Sequence, residues 1–443
     1  MRFVLCVVAV IATSSSIALA GQEAPTYCRD IAPVINNNCV TCHRPGEVAP
    51  FSLRTYNDVR KHGRLIAAIV QAKIMPPWKP VPGYGEFLGE RRLTDEQVAL
   101  IQKWVKAGMP EGDRKDLPTP PTFPSGWQLG APDVVLEMPE PYQLPAEGGD
   151  IHRNFVLPLE IPEGKYIRAV EYRPSNPRVV HHAVLMMDTT QSCRKKDEAD
   201  PGPGFTQVFI PATMLPGNVG IWTPGRKPMP MPEGFSVPWP KGADFVLQLH
   251  LHPSGKPELE QSRVGIYLTD QPPTKSIVDM FLEDRRIDIP AGEKGYHTSD
   301  FLFLPVGVDL LGLFPHMHWL GKDVKVTAKM PGGEEKTLLW INDWDFKWQL
   351  YYEYSKPVRL PAGTEITMQC VHDNSADNPN NPSLLPQRVR WGEQTFDEMS
   401  DVVIEVIPLE KSDTSKLRAY IGQRHWQREK AFKDFSKSQT PPG

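Results

Sequence analysis

Proline is the feature that most limits what this chain can fold into. It contributes 47 of the 443 residues, about twice its average usage of roughly 5%. Proline in a helix interior removes a hydrogen bond and clashes with the preceding turn, so this chain cannot be mainly helical. Many short strands joined by turns rich in proline and glycine fit the composition better. The composition therefore predicts a mainly β fold.

The first residues have the layout of a secretory signal. One basic residue precedes a short apolar run and small residues that end at Ala20. Residues 1–20 are therefore predicted to be a cleaved signal peptide, and the protein to be periplasmic or secreted without a membrane span. Lysine and arginine total 49 and aspartate and glutamate total 53, which gives a net charge of −4 without a basic run. This balance does not point to nucleic acid as a partner.

The segment CVTCH carries the attachment signature of c-type haem. In this signature two thiols, here Cys39 and Cys42, bond to the haem, and the histidine, here His43, binds its iron. The alternatives are a thioredoxin-like pair or half of a zinc site. The export signal, the adjacent histidine and the lack of a second CxxC count against both. Met75, in an extended proline-bounded segment, is the expected second iron ligand, and His62 is the alternative.

Helical patterns surround the haem motif. Residues 55–73 show helical periodicity, and a second helix is predicted to begin after Thr94, capped with Gln97, and to stop at Gly108. These patterns predict a small all-α cytochrome c domain over residues 21–113. The proline-rich stretch at 114–130 is predicted to be a stiff linker.

Short alternating strands follow from about residue 130. Turn residues separate them at short intervals, which favours β-sandwiches or barrels over βαβ units. Two blocks of sandwich size fit the length, at residues 131–275 and 276–410. Residues 411–443 form a charged tail with a helical pattern, and we expect a solvated helix there.

Paired histidines recur at three places on the predicted strands. They are His181 with His182, His250 with His252, and His316 with His318. The two H-x-H pairs place both side chains on one strand face, whereas adjacent histidines need a local distortion to bind one metal. Any one pair alone could be exposed or hydrogen-bonded, but three pairs on apolar strands favour metal binding. Imidazole ligands suit zinc or copper, and an added thioether favours copper(I).

The motifs VHHAVL, VLQLH, PHMHWLGK and FDEMS, in this order, resemble the copper type II monooxygenases related to peptidylglycine α-hydroxylating and dopamine β-monooxygenases. The resemblance covers about residues 130–408 and implies two antiparallel β-sandwich domains of jelly-roll type that hold two copper ions. It implies an electron-transfer copper bound by His181, His182 and His250, and a catalytic copper bound by His316, His318 and Met399. His252 remains an alternative to His250, and without the resemblance Met399 would be taken as an ordinary core methionine.

The chain departs from this family at three features. Phe314 stands where the peptide-amidating relatives have an arginine that binds the substrate carboxylate, and Val403 stands where a tyrosine is expected. An aromatic ring cannot replace a bidentate guanidinium, so the substrate is not expected to be a glycine-terminated peptide. The disulfide framework is also mostly missing. Cys28, Cys193 and Cys370 cannot all pair within one chain, so at least one should be free.

The haem motif and the resemblance together predict an exported monooxygenase dependent on haem and copper. It would hydroxylate a C–H bond of a small organic substrate with O2 and two electrons. The haem would relay electrons from a periplasmic donor or an ascorbate-like reductant. Two alternatives remain open: a non-catalytic haem and copper protein for electron transfer or copper handling, and a zinc-binding sandwich attached to a cytochrome.

Overall fold

The structure is a computed structural model that describes residues 24–124, 126–207, 210, 212–216 and 219–438. The predicted signal peptide lies outside these residues. The described chain is mainly β, with antiparallel sheets over residues 134–408, and this confirms the fold class predicted from the composition. Within the described ranges, no helix is both long enough and apolar enough to cross a membrane.

Helices dominate the N-terminal region. They are a π-helical turn at Tyr27–Ile31, α1 (Ala32–Asn38), α2 (Tyr56–Gln71), α3 (Asp95–Lys106) and a 3-10 turn at Arg114–Asp116. The predicted capping box of Thr94 with Gln97 is present at the start of α3, where it satisfies backbone N–H groups that the helix leaves open. Buried side chains from these helices, including Ile35, Val59 and Trp104, share one core.

The first β region extends from residue 134 to residue 269. Its elements are β1 (Val134–Glu137), β2 (Tyr142–Leu144), β3 (Ile151–Pro158), β4 (Tyr166–Arg173), β5 (Val180–Asp188), α4 (Ser192–Ala199), β6 (Phe205–Thr206), β7 (Thr213–Met214), β8 (Ile221–Trp222), β9 (Asp244–Leu251), β10 (Glu258–Glu260) and β11 (Arg263–Thr269). A six-stranded sheet has the order β6-β3-β9-β5-β7, with β8 also paired to β5, and smaller sheets have the orders β1-β11-β4 and β10-β2. Leu247 of the large sheet and Ile266 of the three-stranded sheet share one core, as expected of packed sheets.

The second β region extends from residue 278 to residue 408. Its strands are β12 (Val278–Glu283), β13 (Asp288–Ile289), β14 (Tyr296–Phe303), β15 (Val308–Met317), β16 (Gly321–Lys329), β17 (Glu335–Ile341), β18 (Tyr352–Leu360), β19 (Glu365–His372), β20 (Val389–Arg390) and β21 (Ser400–Pro408). Two four-stranded sheets have the orders β12-β21-β15-β18 and β14-β19-β16-β17, and β13 pairs with β20. Leu310 and Ile404 of one sheet share a core with Val326 and Ile366 of the other.

The N-terminal region is tied to the second β region along β18. Leu88 N donates to Glu353 O at 2.7 Å, and Ser355 N donates to Glu86 O at 2.7 Å. Between these bonds, the Phe87 side chain enters the core of the second β region. Main-chain bonds and apolar burial therefore fix the helical region against this edge.

The C-terminal helix α5 (Thr414–Ser438) agrees with the predicted helix, and most of its residues are exposed. One side of it docks on the second β region. Leu417 is fully buried, Arg424 forms an ion pair with Asp300 at 2.9 Å, and Arg428 donates to the carbonyl oxygen of Phe281 at 3.0 Å. The sequence pattern does not show the last two contacts, because the partners lie more than a hundred residues away.

Three cysteines outside the haem motif lie among the described residues, in separate cores, and each is a free thiol. Cys28 is buried among the N-terminal helices, Cys193 on the buried side of α4 and Cys370 inside the second β region. The prediction that at least one of them is unpaired is confirmed.

Candidate metal and haem sites

Three neighbouring strands bring histidines into one row on the large sheet. His182 of β5 pairs with His250 of β9, and His250 also pairs with His152 of β3. The register of β5 shifts between Val180 and His182, so His181 is the extra residue of a bulge. This is the local distortion that adjacent histidines require if they are to reach one metal.

The ring nitrogens of this centre converge on a point. His182 Nδ1 lies 3.2 Å from His181 Nδ1 and 3.3 Å from His250 Nδ1, and one ligand atom from each ring lies within 4.8 Å of the others. Metal–nitrogen bonds of about 2.0–2.1 Å in a tetrahedral arrangement place neighbouring nitrogens about 3.3 Å apart. The three imidazoles therefore fit a single metal ion.

Burial keeps the imidazoles of His181 and His182 neutral, as a metal ligand must be. It lowers the pKa of His181 to about 4, and repulsion by His250 adds to the effect. Burial likewise lowers the pKa of His182 well below its usual value, again with a contribution from His250. At neutral pH both rings can offer a lone pair to a metal.

Asp150 supports the centre from behind His250. Its Oδ2 lies 3.0 Å from His250 Nε2, although the contact is too bent for a well-formed hydrogen bond, and its Oδ1 lies 2.7 Å from His252 Nδ1. Burial raises the pKa of Asp150, but its contacts with His250 and His252 outweigh this and lower the pKa overall. The side chain of His252 is 67% exposed and points away from the cluster. Of the two candidates in LQLHLH, the structure brings His250 to the adjacent pair.

His152 is a fourth histidine at this centre, and sequence reasoning missed it. Its ring stacks on His250 with centroids 4.3 Å apart and planes 17° from parallel. Burial, followed by repulsion from His250, lowers the pKa of His152 to about 3. Nothing in the local sequence IHRNF distinguishes this residue, because its relation to His250 follows only from the pairing of β3 with β9.

The other candidate centre lies where β15 meets β21. His316 pairs with Asp401 and Met317 with Ser400, which is the last pair of this register. His318 and Met399 are the next residues along the two chains, just outside the strands. Both are buried, so Met399 lies at the same end of this strand pair as His316 and His318.

Both histidines of this centre have their Nδ1 atoms engaged with acceptors. His316 Nδ1 donates to Gln349 Oε1 at 2.5 Å, and His318 Nδ1 donates to the carbonyl oxygen of Asp397 at 3.1 Å. Such bonds fix a metal-binding tautomer and leave Nε2 as the ligand atom. Burial, then repulsion by His318, lowers the pKa of His316 to about 3, so this ring is also neutral.

Glu398, the second acidic residue of FDEM, links the segments of this centre through hydrogen bonds. This buried carboxylate accepts from the backbone N–H groups of His318 at 2.5 Å, Leu320 at 2.9 Å and Met399 at 2.9 Å. Burial raises its pKa, but the contact with His372 and the backbone donors lower it overall. Glu398 thus holds the segments bearing His318 and Met399 in a fixed relation.

Phe346 lies between the two histidine centres. Its ring centroid is 5.8 Å from that of His181 and 6.4 Å from that of His250 on one side, and 5.8 Å from that of His318 on the other. The side chain is buried. One phenyl ring therefore contacts both centres, although the intervening sequence gives no hint of this.

A cavity of about 590 Å³ contains all four predicted haem residues, Cys39, Cys42, His43 and Met75. His43 Nδ1 donates to the carbonyl oxygen of Phe51 at 3.1 Å, which leaves Nε2 free as a ligand atom. His62 instead stacks on the far side of the Phe51 ring, with centroids 3.9 Å apart, and does not line the cavity.

The cavity also contains buried donors that lack protein partners. Trp78 Nε1 and Arg91 Nε are both buried without a hydrogen-bond partner. Buried donors of this kind are costly unless a ligand or water satisfies them. Haem carries two carboxylate groups at one edge, so the donors, the size of the cavity and the thiols all fit this group.

Comparisons with known proteins add no family assignment. No protein-family profile and no curated protein matches the chain. Solved structures similar to parts of it include the major capsid protein P2 of bacteriophage PM2, with 10% identity, 62% of this chain and 97% of that chain covered, and a TM-score of 0.26. Another is the VP2 subviral particle of infectious bursal disease virus, with 10% identity, coverages of 70% and 94%, and a TM-score of 0.16. TM-scores this low carry no argument about fold or function.

Phe314 and Val403, at which the sequence departs from the family it resembles, are neighbours in the fold. Phe314 pairs directly with Val403, and Val403 pairs with Phe281 on β12. Since residues two apart on a strand share a face, this apolar row lies on the same face as His316. Asp401, which pairs with His316, is polar, so the apolar surface is the single row next to it.

Proposed function

We propose that this chain is an exported, haem- and copper-dependent monooxygenase that hydroxylates a C–H bond of a small organic substrate with O2. The observation that carries the proposal is the convergence of three imidazole nitrogens, from His181, His182 and His250, on one point. A bulge in β5 and the register of β5 with β9 are needed to bring these nitrogens together. Such convergence is typical of a metal site rather than of scattered buried histidines.

The second centre supports copper rather than zinc. His316 and His318 would supply two nitrogens and Met399 a thioether, and a thioether favours copper(I). Bound copper would supply one-electron redox chemistry and O2 activation, so that one oxygen atom enters the substrate for two electrons delivered. The chain itself would orient the ligands through Gln349, the Asp397 carbonyl group and Glu398.

The large cavity supports a covalently attached haem as part of the same enzyme. Cys39 and Cys42 would bond to the haem, and His43 and Met75 would bind its iron. Trp78 and Arg91 would donate to its carboxylates. Export to an oxidising compartment, as the signal sequence predicts, is consistent with a c-type haem.

The substrate proposed for this enzyme is small and apolar at its reacting end. The row formed by Phe281, Val403 and Phe314 offers no cation and no hydroxyl beside His316. Phe281 is 42% exposed, so the row is open to solvent at one end. This surface would bind a hydrocarbon or aromatic group rather than a carboxylate.

The test compares two methionines on adjacent strands. Met399→Leu removes the proposed thioether with little change in volume, whereas Met317→Leu alters a buried core methionine that points away from the histidines. We expect wild type and Met317→Leu to bind two copper ions and to consume O2 faster when a substituted toluene is added with ascorbate. Met399→Leu should lose the second copper or bind it more weakly, and should lose the substrate-stimulated O2 uptake.

The same measurements separate the competing functions. Full copper occupancy and full activity in Met399→Leu would contradict the catalytic assignment. If wild type binds copper but its O2 uptake does not rise with any small substrate tested, an electron-transfer or copper-handling protein is favoured. Zinc without copper in the purified protein would favour a zinc-binding sandwich.

A further inference from the structure

One loop of the molecule contacts all three candidate sites. This bridging loop comprises residues 342–351, between the end of β17 and the start of β18. Its Phe346 lies between the two histidine centres, its Gln349 accepts a hydrogen bond from His316, and its Trp348 lines the haem cavity. The three sites are thus connected by ten consecutive residues.

The wall between the haem cavity and the first histidine centre is thin. A small cavity of about 10 Å³ lies against His181 and His182. Four residues line both this cavity and the large one, and they are Thr223, Pro224, Trp348 and Leu350. The two cavities are therefore separated by single side chains, and the only aromatic ring among the four belongs to Trp348.

The far side of the first centre is also closed by an aromatic ring. The Phe346 ring centroid lies within 6.4 Å of those of His181, His250 and His318, and the His318 ring is nearly perpendicular to it. Phe346, Gln349 and Leu350 are buried, and Trp348 is half-buried. Buried and half-buried side chains of this loop therefore lie along the way from the haem cavity to the second centre.

We propose that the bridging loop is the electron path of the molecule, with Trp348 as the entry point and Phe346 as the link between the two copper centres. This inference rests on the proposed function, since it needs both a haem and two coppers. In this path the first histidine centre is the first acceptor of electrons from the haem.

The steps balance as single-electron transfers. With haem and copper bound, the haem iron held by His43 and Met75 would lose one electron as copper(II) held by His181, His182 and His250 gains it. The first copper would then lose one electron as copper(II) held by His316, His318 and Met399 gains it. No bond forms or breaks and no proton moves in either step, and a one-electron donor outside the protein reduces the haem again.

The test is the rate at which photoreduced haem is reoxidised in oxygen-free, copper(II)-loaded protein, followed by haem absorbance. In wild type we expect a decay that is independent of protein concentration and absent without copper. Trp348→Leu should slow this decay by an order of magnitude, and Trp348→Phe, which keeps an aromatic ring, should slow it less. Trp426→Leu is the matched control, because Trp426 is exposed on α5 and lines neither cavity.

Phe346→Leu tests the second link by a separate signal. Haem reoxidation should remain close to the wild-type rate in this variant. The copper(II) electron paramagnetic resonance signal of the His316 centre should persist, whereas in wild type it should fall as electrons arrive.

Each failure has a distinct meaning. A variant is compared only when its haem spectrum and copper content equal those of wild type. With both intact, an unchanged decay in Trp348→Leu would overturn the electron path and leave the proposed function standing. Wild-type protein that contains no covalent haem or no copper would contradict the proposed function itself.

Discussion

At the scale of single residues, Asp150 has the largest influence on the first histidine centre without binding the metal. Its two oxygens face His250 and His252, and its lowered pKa keeps it ionised despite burial. An ionised carboxylate behind a ligating imidazole orients the ring and makes its other nitrogen a stronger ligand. The first centre should therefore depend on Asp150 almost as strongly as on a ligand.

We expect Asp150→Asn to weaken copper binding at the first centre by about 10- to 100-fold. The neutral amide keeps the size of the side chain but loses the charge beside His250. Competition titrations against a chelator of known affinity would measure the change. His252→Ala is the matched control, because His252 contacts the same carboxylate from the exposed side. Equal losses of affinity in both variants would show that the carboxylate does not act through His250.

His152 should act through stacking rather than as a ligand, because it lies outside the group of mutually close ligand atoms. His152→Phe keeps a flat ring against His250, so copper affinity and the nitrogen hyperfine pattern of copper(II) should stay as in wild type. His152→Ala removes the ring and should weaken binding several-fold. Loss of one nitrogen from the hyperfine pattern in His152→Phe would instead identify it as a ligand.

The paired histidines could be found from the sequence because a strand places residues two apart on one face, and His316 and His318 need only that rule. His152, Phe346 and Gln349 could not be found in this way. Their positions depend on strand register and on the path of a loop, which are properties of the folded chain. For the same reason, the sequence shows Glu398 only as part of the FDEMS motif. It does not show that the Glu398 carboxylate links the segments that contain His318 and Met399.

At the scale of elements, the strand β12 contains a buried carboxyl group that opposes folding at neutral pH. Asp279 Oδ1 is buried without a hydrogen-bond partner, and burial raises the pKa of Asp279 to about 6. Below about pH 4 this group is protonated in both the folded and the unfolded chain. As the pH rises toward 6, the unfolded chain releases the proton while the folded chain keeps it, so stability falls.

We expect Asp279→Asn to stabilise the protein at pH 7 by at most about 3 kcal/mol and to have little effect near pH 4. Urea unfolding of wild type and variant at both pH values would measure the difference. Asp116→Asn is the control, because Asp116 is exposed in a turn and should change stability at neither pH. A stabilisation of equal size at both pH values would contradict burial of the ionised group as the cause.

At the scale of the whole molecule, the large cavity proposed to hold haem belongs to two regions of the chain. The N-terminal helical region supplies the thiols, His43 and Met75, while Arg226, Trp348 and Tyr351 come from the β regions. The sequence could suggest a haem module and a β-rich module separately, because each has a local pattern. It could not show that they share a cavity, because that depends on how residues 78–91 dock along β18.

Because residues of the β regions line this cavity, we expect a residue of the first β region to affect the midpoint potential of the haem. Arg226 lines the cavity, donates to the carbonyl oxygen of Ile221 at 2.9 Å and lies over the ring of Tyr351. A buried positive charge favours ferrous over ferric iron, so Arg226→Met should lower the haem midpoint potential by tens of millivolts, where about 59 mV is tenfold in a one-electron equilibrium.

Spectroelectrochemical titration of the full protein would measure this shift. Arg418→Met is the control, because Arg418 is exposed on α5, away from the residues that line the cavity, and its loss should leave the potential unchanged. An Arg226→Met protein with an intact haem spectrum and an unchanged or higher potential would contradict a cavity closed by the β regions. A lowered potential would mean that the haem responds to the charge of a residue more than 150 positions after its attachment motif. The haem would then lie close to the β regions, as electron transfer to the first histidine centre requires.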